Sequence, residues 1–133
     1  MQAGACVLAL ALGACASTPH QTCAVSEQLN VVDSLYFGGA YSGGLVTAEQ
    51  WQQFVDSVVT PRFPEGLTVL QAAGQYRTNA GVIQHEPSWV LQLIHADGEQ
   101  SEVAIREIRT AYRKQFAQES VLRVRTKGCV SFE

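Results

Sequence analysis

Apolar and polar positions follow two different periods along this chain. Residues 31–37 alternate, with Leu35 and Phe37 on one side and Tyr36 on the other, which predicts a β-strand. Over residues 47–59 the spacing changes. Trp51, Phe54, Val55, Val58 and Val59 form one stripe at helical intervals. Thr47 and Gln50 have the spacing of a capping box, and Pro61 disfavours helical geometry at Thr60, so both helix ends are marked. Pro64 is expected to keep Arg62 and Phe63 extended. Between strand and helix, the glycine-rich stretch 38–44 reads as a flexible loop.

A second strand is predicted over 67–76, with Gly74 as a possible bulge position, followed by a turn at 78–81. His85 and Glu86 fall in a turn before the strongest strand, 88–94. There Trp89, Leu91 and Leu93 fill one face, and Val90 and Ile94 flank Gln92 on the other. A strand apolar on both sides belongs in the interior of a sheet. A second helix is predicted over 102–118, with Ile105, Ile108, Tyr112 and Phe116 buried and Arg106, Arg109 and Arg113 beside them. Residues 121–124 alternate as a last strand, with Arg123 and Arg125 opposite Leu122 and Val124, and 130–132 form a short closing strand.

The order is βαββαβ, the split βαβ pattern. Right-handed crossovers convert it into an α+β, ferredoxin-like fold: a four-stranded antiparallel sheet, order 4-1-3-2, with two helices on one face. The other face has no helix. A second copy, a bound ligand, or the glycine-rich loop with the N-terminal arm are the three ways to cover it.

The N-terminus sets the compartment. Residues 3–14 carry no charge and end in Leu12-Gly13-Ala14-Cys15. That run is too short to span a bilayer, which takes about 20 residues, but it suits an export signal. Leu-Gly-Ala-Cys resembles a bacterial lipobox, which would make Cys15 the lipidated first residue of the mature protein. Cleavage after Ala14-Cys15-Ala16 is the competing reading. No Lys or Arg precedes Arg62, so the positive n-region of such signals is missing. The expected organisation is a signal peptide with lipobox at 1–15, a tether at 16–30 and one α+β domain at 31–133. The expected location is the cell envelope, facing the periplasm and anchored through Cys15, with soluble secretion as the alternative.

Processing leaves Cys23 and Cys129. In an oxidising compartment they are expected to form one disulfide, and the inferred topology brings them together. Neither has a second Cys or a His at ligand spacing, so no metal site is expected. The net charge of −3 argues against nucleic-acid binding.

No phosphate loop, nucleophile elbow, zinc-protease helix or Cys-x-x-Cys is present, and no cofactor is implied. Arg62, set between Pro61 and Phe63-Pro64, reads either as a clamp for a carboxylate, with Glu86 as partner, or as a salt bridge locking the helix exit. The basic residues Arg106, Arg109, Arg113, Lys114, Arg123, Arg125 and Lys127 read as a solvated face or as a surface for anionic lipid headgroups.

Thr60-Pro61-Arg62-Phe63-Pro64 followed by Gly66-Leu67-Thr68-Val69 resembles the signature of the bacterial domain-of-unknown-function family 3574. Leu35-Tyr36-Phe37-Gly38, Gly74-Gln75, Glu86-Pro87-Ser88, the 112–122 stretch and Cys129-Val130-Ser131-Phe132 are similar to other parts of it. The resemblance covers roughly residues 33–133. It implies a small exported or lipidated protein and no particular activity.

Two functions fit. One is a non-catalytic envelope module that binds a partner or small ligand. The other is a small cofactor-independent enzyme, monooxygenase- or isomerase-like, of the dimeric α+β barrel type. Tyr36, Arg62, Gln75, Glu86, Tyr112 and Gln118 are the candidate pocket residues. Convergence of three or more on one apolar cavity, with Glu86 desolvated, would favour the enzyme, and a dispersed arrangement, each satisfied by backbone, would favour the binding module.

Overall fold

A computed structural model describes residues 22–132. The signal peptide, the lipobox cysteine and the first part of the tether, residues 16–21, lie outside the described residues. Six strands and two helices follow in the order β1 (Gln28–Gly38), β2 (Ala40–Tyr41), β3 (Gly44–Leu45), α1 (Ala48–Phe54), β4 (Thr68–Arg77), β5 (Ile83–His95), α2 (Glu99–Gln115) and β6 (Leu122–Val130). β4, β5, β1 and β6 form one four-stranded sheet in that order, and every pairing in it is antiparallel. β2 and β3 form a separate two-stranded hairpin. The fold is therefore α+β, with β1 and β5 in the centre of the sheet as the sequence pattern requires.

One face of β1 is dry. Val31, Asp33, Leu35 and Phe37 have no exposed surface, and opposite them on β5 Trp89, Leu91 and Leu93 are buried as well. Both helices pack on this side. The ring of Phe37 lies 5.1 Å from that of Trp51 in α1 and 4.7 Å from that of Tyr112 in α2. Trp51 stacks on Trp89 at 5.0 Å, and Tyr112 continues the ring cluster to Phe54 and Phe116. Such ring pairs add about 0.5–1.5 kcal/mol each beyond burial of their area.

Local chemistry sets the element ends, with some departures from expectation. Thr47 and Gln50 form the predicted reciprocal cap of α1. The last part of the expected helix, Val55–Val59, widens into a π-helical turn, in which the Thr60 amide reaches back to the Val55 carbonyl. Arg62 lies in a turn and not in an extended segment: its amide donates to Val59 O at 2.9 Å. β5 starts at Ile83, so His85 and Glu86 belong to the strand and not to a turn before it. α2 starts and ends earlier than predicted. Ala117, with φ of +48°, stands in the left-handed position beyond its last turn, and the Gln118 amide bonds back to Arg113 O. The two short closing strands expected from the sequence are one continuous β6, and β1 begins three residues before the expected start.

Among the basic residues, Arg123 is no solvated surface cation. Its guanidinium grips Asp33 with two bonds, Nε to Oδ1 at 2.6 Å and Nη2 to Oδ2 at 2.7 Å, and also binds both oxygens of Glu102 at 2.7 Å. His95 Nε2 lies 3.0 Å from Asp33 Oδ2. The Arg123 bond holds the Glu102 carboxyl below the usual range, and bonding to Glu102 and then Asp33 pushes the Arg123 pKa upward. A bidentate pair that also engages a third group can carry a buried carboxylate, which would otherwise be costly.

Cys23 and Cys129 form a disulfide, with Cα atoms 5.4 Å apart and a sequence separation of 106 residues. It staples the segment before β1 to the end of β6, where Leu29 and Cys129 are register partners. In the chain-entropy treatment, opening a loop of this size costs about 4–5 kcal/mol. The double variant Cys23→Ser/Cys129→Ser is expected to lose that much in urea denaturation, and an unchanged midpoint would contradict it. Asp33→Ala should cost about 3 kcal/mol in the same measurement, since it leaves Arg123 half-paired beneath the helices.

Candidate functional site

The glycine-rich stretch after β1 is clamped and does not behave as the loose loop its composition suggested. Every backbone polar group from Gly38 O to Ala40 O has a partner. Tyr112 Oη donates to Gly38 O at 2.8 Å, the Gly39 amide donates to Pro87 O at 2.8 Å, and Gly39 O accepts from the Val46 amide at 2.8 Å. The Ala40 amide donates to Glu86 Oε2 at 2.7 Å, and Ala40 O accepts from Gln118 Nε2 at 2.7 Å. Gly38 leaves room for the Glu86 carboxylate: a Cβ on it would fall within 2.7 Å of Glu86 Oε2 and nearer still to Oε1, so the carboxylate would have to move. The hairpin that follows turns toward the helix side, where Tyr41 and Val46 pack on the core.

This clamp shapes one end of a cleft of about 210 Å³. Its walls are Tyr36, Gly38, Gly74, Tyr76, Glu86, Ser88 and Leu122 from the sheet, with Gln75, Gln118 and Ser120 closing the side. The sheet residues, Gln75 apart, have the strand parity of the helix-free face: Tyr36 is in register with Leu122, Gly38 with Ser88, and Gly74 with Glu86. Of the six candidates from the sequence, Tyr36, Gln75, Glu86 and Gln118 line this cleft. Tyr112 supports it from the core side through Gly38. Arg62 is not brought to it. Arg62 Nε bonds Glu107 of α2 at 3.0 Å, and Nη1 bonds Val58 O at 2.7 Å, so the residue locks the exit of the first helix with a partner other than the expected Glu86.

Tyr76, Ser88 and Ser120 were not singled out from the sequence. The alternation of β4 puts Tyr76 on the same side as Gly74, and a register with β5 could have found it. The chain reversal at Ala117 that delivers Gln118 and Ser120 has no glycine to announce it.

The electrostatics of the cleft are one-sided. Glu86 is the only residue of a charged type among its walls. Burial, then the charges of Glu119 and Glu86, raise the Tyr76 pKa, and burial followed by Glu86 raises that of Tyr112 well above the usual phenol range. Both phenols therefore keep their protons at ordinary pH, and Tyr112 uses its own in the bond to Gly38 O. The one grouping of metal-ligand types among the described residues, Cys23, Glu27 and Cys129, offers no thiolate, because its two sulfurs are bonded to each other.

A four-stranded antiparallel sheet covered by two helices on one face is an α+β architecture shared by other proteins. A phage SAM lyase in complex with S-methyl-5'-thioadenosine is similar over 86% of this chain and 97% of its own, with a TM-score of 0.59 and 13% identity. Its apo form is similar with a TM-score of 0.57 and 17% identity, over 79% of this chain and 91% of that one. CutA from Synechococcus elongatus gives 0.54 and 14%, over 79% and 83%. At these identities the likeness is one of fold. No curated protein matches in sequence. The profile of the family described as "Protein of unknown function (DUF3574)" matches residues 32–132, and the chain belongs to that family.

The raised Tyr112 pKa has a measurable sign. The folded protein keeps the phenol proton, while the unfolded chain releases it near the ordinary value of 10.0. Stability is therefore expected to be intact below that pH and to fall above it. Tyr112→Phe should flatten this alkaline limb while lowering stability at neutral pH by about 1–2 kcal/mol, because Gly38 O loses its donor. Parallel alkaline slopes for the two proteins in urea titrations would contradict the assignment.

Proposed function

We propose that this chain is an exported binding module of ferredoxin-like βαββαβ fold, tethered to a membrane through Cys15 and facing the periplasm. Its ligand site is the cleft beside Tyr36, and its ligand is a small molecule bearing a positive charge next to a flat apolar part. The observation that carries the binding reading is where the polar groups direct their hydrogen bonds. Glu86, Tyr112 and Gln118 all bond backbone atoms of residues 38–40, so they hold the shape of the cleft. A general acid or base needs its bond free for a substrate proton.

The ligand class follows from the walls. A carboxylate beside two phenol rings, with no Lys, Arg or His among the lining residues, favours a cation over an anion. The volume of about 210 Å³ is below the range of about 300–1,000 Å³ usual for drug-sized ligands. The cleft therefore suits a small molecule or one end of a larger one. The Cys23–Cys129 bond supports the compartment, since such bonds persist where the environment is oxidising. An enzyme is the second reading, favoured by the convergence of Tyr36, Tyr76 and Glu86 on one cavity.

Calorimetry with benzylamine, benzyl alcohol and benzoate tests the proposal, because the three share a ring and differ in charge. Benzylamine is expected to bind best and benzoate worst, and Glu86→Gln should erase the preference for the amine. Equal binding of all three, or a preference for benzoate, would refute the ligand class.

A further inference from the structure

The helix-free face of the sheet is apolar in a way a wet surface is not. Leu70, Val90, Tyr36 and Leu122 form one cross-strand row over all four strands. Thr68, Gln92, Ser34 and Val124 form the next row, and Ile94, Val32 and Thr126 a third. No Asp, Glu, Lys, Arg or His is among them. β6 makes the point most sharply. Its cations Arg123, Arg125 and Lys127 alternate onto the helix side, where they pair with Asp33, Glu102 and Asp97. Leu122, Val124 and Thr126 face outward. A solvated sheet face carries the opposite alternation, with charges out and apolar groups in.

The patch is also large. Tyr36 is 40% exposed, Leu70 55%, Ile94 41%, Leu122 59% and Val124 43%. Together these five leave on the order of 500 Å² on one face of the sheet, comparable with the largest apolar patches of monomers. Four strands spaced about 4.8 Å apart and nine residues long present roughly 600 Å² of flat face, approaching the roughly 800 Å² per partner of a standard interface.

We propose that a second copy of this chain docks on this face and roofs the cleft. A surface that is apolar and uncharged is complementary to itself, which is what a two-fold contact requires. The chain's own glycine-rich hairpin is not the cover, because Tyr41 and Val46 fix it to the helix side. Tyr36 and Leu122 belong both to the central apolar row and to the cleft walls. A copy seated on that row therefore extends over the open side of the cleft and excludes water from it. The docking surface stands on the face alone; the roofing rests on the cleft being the ligand site.

Sedimentation of the full chain, carrying Cys15→Ser to remove acyl-driven association, tests this at micromolar concentration. The unsubstituted face should give a dimer, and Leu70→Glu/Val124→Glu a monomer, with dimer affinity reduced by at least about 100-fold through like charges in a desolvated contact. Both positions are exposed in the single chain, so its circular dichroism should not change; Val124→Glu alone serves if the double variant does not fold. Benzylamine should bind the monomeric variant about tenfold more weakly than the dimer. A monomer at 100-fold higher concentration, a dimer indifferent to both substitutions, or a monomer whose outward-facing amides are protected by residues 1–21 would each overturn the docking surface. A dimer that fails to bind benzylamine would sink the cleft reading and the roofing with it, and would leave the docking surface standing.

Discussion

In β1, Val31, Asp33, Leu35 and Phe37 have no exposed surface while the intervening Tyr36 keeps 40% of its own, because both helices lie on one side of the sheet. Most of the remaining structure answers to that asymmetry. The inner side must hold two helices, a cluster of rings and one carboxylate. The outer side has no covering helix among the described residues. Since successive strand residues point to opposite faces, each strand has to satisfy both environments at once.

The inner side solves the problem of Asp33 with Arg123, Glu102 and His95, contributed by β6, α2 and β5. A polar network across four elements is sensitive to register, because a slip of one residue would leave Asp33 buried without its partners. It thus selects one pairing of β1 with β6, while the ring cluster around Phe37 selects the seating of the helices. The disulfide fixes the same β1–β6 pair at its far end. Three different interactions agree on one arrangement, which is how a single well-ordered state is favoured over its alternatives.

The outer side carries the functional interest. Its apolar rows end at Gly38 and Glu86, where the chain leaves the sheet plane and its backbone is held by Tyr112, Glu86 and Gln118. The cleft exists because that exit is rigid. A mobile glycine-rich loop would collapse into the space or leave it undefined. Two phenol rings, one carboxylate and an adjoining uncharged face are the features on which the proposed cation site rests.

The sequence alone determined the α+β class with its four-stranded antiparallel sheet and two helices, the position of the strand that is apolar on both sides, the capping box and the pairing of Cys23 with Cys129. These rest on local periodicity and on topology rules that need no coordinates. It also grouped four residues that share the cleft. Tertiary structure decided the rest. Arg62 was legible as a fixed cation, but its partner Glu107 lies 45 residues away on another element. The clamp on residues 38–40 was hidden because composition reports the freedom of a free chain, whereas rigidity here comes from three side chains distant in sequence. Arg123 looked like surface charge until the fold set it against Asp33. Alternation assigns a residue to a face, and only packing shows which face is covered.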